Sequence, residues 1–129
     1  MLRYFLWANC FSCAVFGVLF LVSSAQAAQF IGSPPVVFLR AAGLLLTLNA
    51  VLLAYTAVRL CHIPKVILFF VAGDAGWVAL TAICLIFGAW IEGTAATLAS
   101  VVVAMFVGGL GIGQYVYGIA GMTRESHTA

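Results

Sequence analysis

The residue with the most chemical potential is Asp74, which stands in the apolar stretch Ala72-Gly73-Asp74-Ala75-Gly76-Trp77-Val78. An ionised, unpaired carboxylate inside a membrane costs several kcal/mol. Protonation is the simplest remedy, and a protonated Asp74 would donate a hydrogen bond to a neighbouring helix. Counting along the helices places Asn49 and Gln114 at broadly similar depth, while Asn9 falls nearer the surface. The expected intramembrane polar cluster is therefore Asp74, Asn49 and Gln114, with Trp77 and Tyr117 beside them. Such a cluster suits proton titration or substrate binding, and it equally suits an interhelical clasp worth about 1 kcal/mol per hydrogen bond.

Other residues offer less. Cys10-Phe11-Ser12-Cys13 has the spacing of a dithiol pair, in which one thiolate attacks within reach of a resolving partner. A quinone-linked thiol oxidoreductase could use it. The pair sits in apolar sequence near the expected cytoplasmic end of the first helix, however, where oxidation is disfavoured. Arg40 and Glu92 fall at the opposite membrane face and could pair across two hairpins, or Arg40 could snorkel alone. His62 lies beside Cys61 in a short basic turn, and two ligands do not make a metal site. No cofactor is expected, and no arrangement supports hydrolytic chemistry.

These residues need an apolar frame. The chain has 129 residues, of which 66% are hydrophobic and only 6% charged. A soluble domain carries about a quarter charged residues, so the expected solvent is lipid. Five basic residues against three acidic ones, with no basic cluster, exclude nucleic acid as a partner. Spans of about 20 apolar residues are needed to cross a bilayer. Four fit, over 4–23, 36–58, 65–90 and 94–120. The expected fold is an all-α, integral membrane, up-down-up-down four-helix bundle, one domain over 1–122 with a polar cytoplasmic tail over 123–129. Short connections make sequential helices antiparallel neighbours.

Glycines supply packing surfaces. Gly108-Gly109-Leu110-Gly111-Ile112-Gly113 lacks the strand, lysine and hydroxyl of a phosphate loop. Gly109 and Gly113, one turn apart, instead form an expected groove for another helix, within the chain or on a partner. Gly43, Thr47, Ala50 and Ala54 form a second small-residue row.

Charge orients the bundle. Arg3, Arg59, Lys65 and Arg124 share one side if the spans alternate, which puts both termini in the cytoplasm. The first helix admits two readings. Arg3, the apolar stretch and Ala25-Gln26-Ala27 mimic a cleaved signal peptide, whereas Asn9, Cys13 and Gly17 share one face, as a retained, packed helix requires.

From Pro34 onward, about three quarters of the chain resembles a family of small, uncharacterised bacterial four-span membrane proteins. The resemblance rests on the proline before Val36, Phe38-Leu39-Arg40-Ala41-Ala42-Gly43-Leu44, Ile63-Pro64, and the stretch from Ala72 to Val78. Family members usually carry asparagine in the place of Asp74. The resemblance implies this fold and the bacterial inner membrane, and no activity. The leading expectation is a non-enzymatic module that packs with itself or with a membrane partner. The alternative is a small transporter or proton-linked binding protein centred on Asp74.

Overall fold

The computed structural model describes residues 1–121, so the expected polar tail lies outside the described residues. The fold is all-α, with four helices long and apolar enough to cross a membrane. In chain order they are α1 (Leu2–Val22), a short α2 (Ser24–Ile31), α3 (Val36–Tyr55), α4 (Pro64–Phe87) and α5 (Thr94–Gln114). The last turns of α3 and α5 widen into π-helix over Thr56–Leu60 and Tyr115–Ala120.

The boundaries follow local chemistry. Pro35 caps α3 and Pro64 opens α4, both with a fixed φ and without a wasted donor. Gly88 ends α4 in the left-handed conformation. The segment between the first two spans, expected as a loop, folds as α2. The signal-like Ala25-Gln26-Ala27 lies within it, and Ala27 packs against the cluster around Phe20 and Leu39.

None of the long helices has a polar face. Leu44, Leu48, Val51, Val102, Met105 and Phe106 are all exposed. Helices apolar all round, with every backbone bond made internally, match a hydrocarbon solvent.

The helices do not pair in simple chain order. The dominant contact joins α1 to α3, followed by α4 to α5, with α1 also touching α5. At the α1–α3 crossing the backbones meet. A β-carbon on Gly43 would lie 2.9 Å from the Gly17 carbonyl oxygen, and one on Gly17 would lie 2.8 Å from the Thr47 nitrogen. Below that crossing, Leu6, Cys13, Ala50, Leu53 and Phe70 form a buried cluster.

This arrangement corrects one expectation. Helices α3 and α4 share a short connection, yet their backbones scarcely approach one another. The close α1–α3 crossing draws α3 toward α1, while α4 stays with α5. A short loop forces two helices to be antiparallel, but it does not force them to pack along their length.

The two ends of the bundle are tied differently. At the basic end, Arg3 Nε donates to the Ala57 carbonyl at 3.0 Å, and Leu2 lies against Gly118. At the other end, the α2–α3 link clasps the α4–α5 turn. Ser33 N donates to Trp90 O at 3.2 Å, Glu92 N to Ile31 O at 2.8 Å, and Ser33 Oγ to Glu92 Oε1 at 2.8 Å. Gly32 adopts φ 142°, and a β-carbon there would strike the Trp90 carbonyl, so this close approach admits only glycine.

Candidate functional site

Asp74 projects from the middle of α4 and is 6% exposed. Two side-chain amides converge on its Oδ2. Asn9 Nδ2 of α1 donates at 2.7 Å and Gln114 Nε2 of α5 donates at 3.0 Å. Three helices are thereby joined at one oxygen, and two N–H donors stabilise negative charge on it. Gln114 Oε1 is sealed in the interior and has no hydrogen-bond partner among the described residues.

The sequence-predicted site residues divide. Gln114 bonds to Asp74. Asn49 does not; its Nδ2 donates instead to Cys13 Sγ at 3.5 Å, because α3 leans on α1. Asn9, which residue counting put nearer the surface, is the shortest contact of Asp74. Counting measures depth from each helix's own end, and those ends are not level. Tyr117 is 47% exposed and stacks on Phe5 with ring centroids 5.4 Å apart, away from the cluster. Trp77 lies one turn beyond Asp74 on the same face of α4, half-buried against the cluster around Phe20 and Leu39.

The expected Arg40–Glu92 pair does not form. Arg40 Nε donates to Ser24 Oγ at 3.2 Å, and Glu92 accepts from Ser33. The unforeseen helix α2 places a hydroxyl within reach of the guanidinium, and a local hydrogen bond replaces the long-range ion pair.

The glycines also separate. Gly43 packs as its row suggested, with Gly17 as its partner. Gly113 lies under the Phe5 ring, and Gly111 lies against Asp74, where an added β-carbon would sit 3.2 Å from the Asp74 Cβ. Gly109 faces open space, with nothing within 4 Å of an added β-carbon. On α5, Gly111 therefore meets α4 and Gly113 meets α1, two contacts on different sides of the helix, instead of the single groove expected from Gly109 and Gly113.

The cysteine pair points apart. Cys10 Sγ donates to the Ala50 carbonyl at 3.2 Å, while Cys13 Sγ lies 3.5 Å from Asn9 Oδ1, and both thiols are free. Among the described residues no three metal-ligating side chains come together.

The feature that residue counting missed is a cleft of about 1000 Å³ lined from α1, α2, α3, α4 and α5, where α3 and α4 part. Its walls are apolar: Phe16 and Phe20 from α1, Ala42 and Leu46 from α3, Phe70 and Trp77 from α4. Its floor carries Asp74, Asn9 and Asn49, and its far end reaches Phe38 and Trp90, whose rings meet at 4.9 Å. On α4 it runs from Phe69 to Cys84, about 22 Å of helix at 1.5 Å per residue. The lining residues Leu45 and Phe69 are 67% and 65% exposed, so the cleft opens sideways, toward the surface that faces lipid. Volumes of about 300–1000 Å³, mostly apolar with a few convergent polar groups, are typical of ligand sites.

Comparison of the chain with family models, with curated proteins and with solved structures finds no match.

Proposed function

We propose that this chain is a multi-pass membrane protein that binds a small amphiphile entering from the lipid. The apolar body of the ligand lies between α3 and α4, and its polar group reaches Asp74. The observation that carries this reading is the lateral cleft ending on a buried carboxyl. The reading is of a non-enzymatic binding protein. It extends the alternative centred on Asp74 and accounts for the parting of α3 and α4, which a bundle built for packing alone would close.

Helix α1 belongs to this site, since Asn9 holds Asp74 and Phe16 walls the cleft. Retention of the helix in the working protein is therefore part of the proposal. So is an orientation with both termini in the cytoplasm, supported by Arg3, Arg59 and Lys65 at one end. The bacterial inner membrane is the location implied by the resemblance described above. Topology reporters inserted within 26–32 should read the non-cytoplasmic side, and a reporter fused after Ala129 the cytoplasmic side; the reverse pattern would overturn the orientation.

Gly76 offers a direct test of the cleft. It lines the opening, and an added β-carbon would meet nothing within 4 Å. Gly76→Phe should fill the mouth while leaving the helix intact. A photoreactive diazirine-bearing dodecanol, incorporated in proteoliposomes, is expected to label Leu45 and Phe69 saturably in the parent and only non-saturably in Gly76→Phe. Uniform, non-saturable labelling of all lipid-facing residues in the parent would end the binding reading.

A second reading keeps a specific observation of its own. Gly109 is an open small-residue position on a lipid-facing helix, which suits docking of a further membrane helix.

A further inference from the structure

The chemistry of the cleft narrows what it would hold. At Asp74 a single oxygen, Oδ2, takes both amide donors. Among the described residues nothing donates to Oδ1, and that atom is not sealed off from the cleft that Asp74 borders. A buried carboxyl thus offers an unused acceptor to the cavity.

Among the described residues no positive charge is placed to match it. Of the described basic residues, Arg3 is committed to Ala57 O at the basic end and Arg40 to Ser24 Oγ near the other end. Arg59 and Lys65 flank the α3–α4 connection. The groups facing Asp74 are Asn9 and Cys13 from α1, Asn49 from α3 and Gln114 from α5. None of them is cationic. On α4 itself, Phe70 and Trp77 stand at the i−4 and i+3 positions from Asp74, so aromatic rings border the carboxyl on both sides along one helix face. Aromatic faces attract cations, and more strongly when water is excluded.

Resting on the binding reading above, we infer that the ligand class is the lipophilic cation: an apolar chain or ring system carrying one ammonium-type charge. The charge sits against Asp74 between Phe70 and Trp77, and the apolar body fills the cleft toward Phe20 and Trp90. The Asp74 proton and the cation compete for the same negative charge, so bound cation gives way as the carboxyl protonates.

The test is displacement of the diazirine dodecanol by three dodecyl compounds matched in chain length: dodecyltrimethylammonium, dodecanol and dodecyl sulfate, each scaled to its membrane concentration. The ammonium compound is expected to displace the probe at concentrations about tenfold or more below dodecanol, with the sulfate weakest. In Asp74→Asn that advantage should vanish while dodecanol displacement persists. A pH arm needs no variant, because the trimethylammonium group does not titrate. Lowering pH should erase the advantage in the parent protein. Equal displacement by ammonium and alcohol at all pH values would overturn the cation assignment and leave the cleft reading standing. Saturable labelling absent from the start would remove the cleft reading as well.

Discussion

Replacing Asp74 with leucine is expected to lower the stability of the bundle by about 1–3 kcal/mol, because two interior donors lose their acceptor at once. Asn9 and Gln114 are 1% and 0% exposed and both point at Asp74 Oδ2. Asp74→Asn is the informative contrast. Its side-chain oxygen still accepts both hydrogen bonds, so the loss should stay below about 1 kcal/mol, within the range of single interhelical hydrogen bonds in membranes. Reversible unfolding in mixed micelles, followed by far-UV circular dichroism, measures both. A leucine variant as stable as the parent would show that packing alone joins α1, α4 and α5. The pair of variants also separates two roles of one residue: asparagine keeps the clasp and removes the charge. A protein whose function survives Asp74→Asn uses Asp74 only as a clasp.

The second large effect lies at the α1–α3 crossing. Gly43→Leu is expected to cost at least about 1–3 kcal/mol, as overpacking does in closed interiors. The first added carbon already sits 2.9 Å from the Gly17 carbonyl oxygen and 3.0 Å from the Leu21 nitrogen. Backbone cannot rotate away as a side chain can, so the helices must separate, and the buried cluster of Leu6, Ala50 and Leu53 would open with them. Gly109→Ala should behave in the opposite way. It meets open space, and removing an interior helical glycine gains about 0.5–1 kcal/mol. Thermal unfolding of the two variants in the same detergent provides the comparison. Equal losses would mean that Gly109 packs against something, and a simultaneous change in oligomeric state would identify that something as a second copy of the chain.

Much of this molecule was legible from residue types. Four spans were readable because lipid imposes a length and a polarity that soluble folding does not. Their starts at Val36 and Pro64 were marked by proline, whereas the third span, expected to run to residue 90, stops at Phe87 with Gly88 as its left-handed cap. Asp74 stood out among its apolar neighbours, and Gln114 was read as its neighbour, though as an acceptor, where the structure has Gln114 Nε2 donating to Asp74 Oδ2. The face shared by Asn9, Cys13 and Gly17 also pointed to a packed first helix.

What the sequence determined by itself was composition along each helix: which segments span and which polar groups are trapped. Only the tertiary structure decided which helix faces which. An apolar helix surrounded by lipid has no amphipathic stripe to declare its buried side, so Gly43 could be recognised as a contact without revealing that Gly17 is its mate. Helix ends at unequal heights hid the reach of Asn9 to Asp74. The same lack of a polar face concealed the parting of α3 and α4, since residues lining a lipid-open cleft are as apolar as those facing lipid. Asp74 was therefore identified by its chemistry. Its place at the floor of a cleft, with one oxygen held and one free, was set by the crossing of two glycines elsewhere in the bundle.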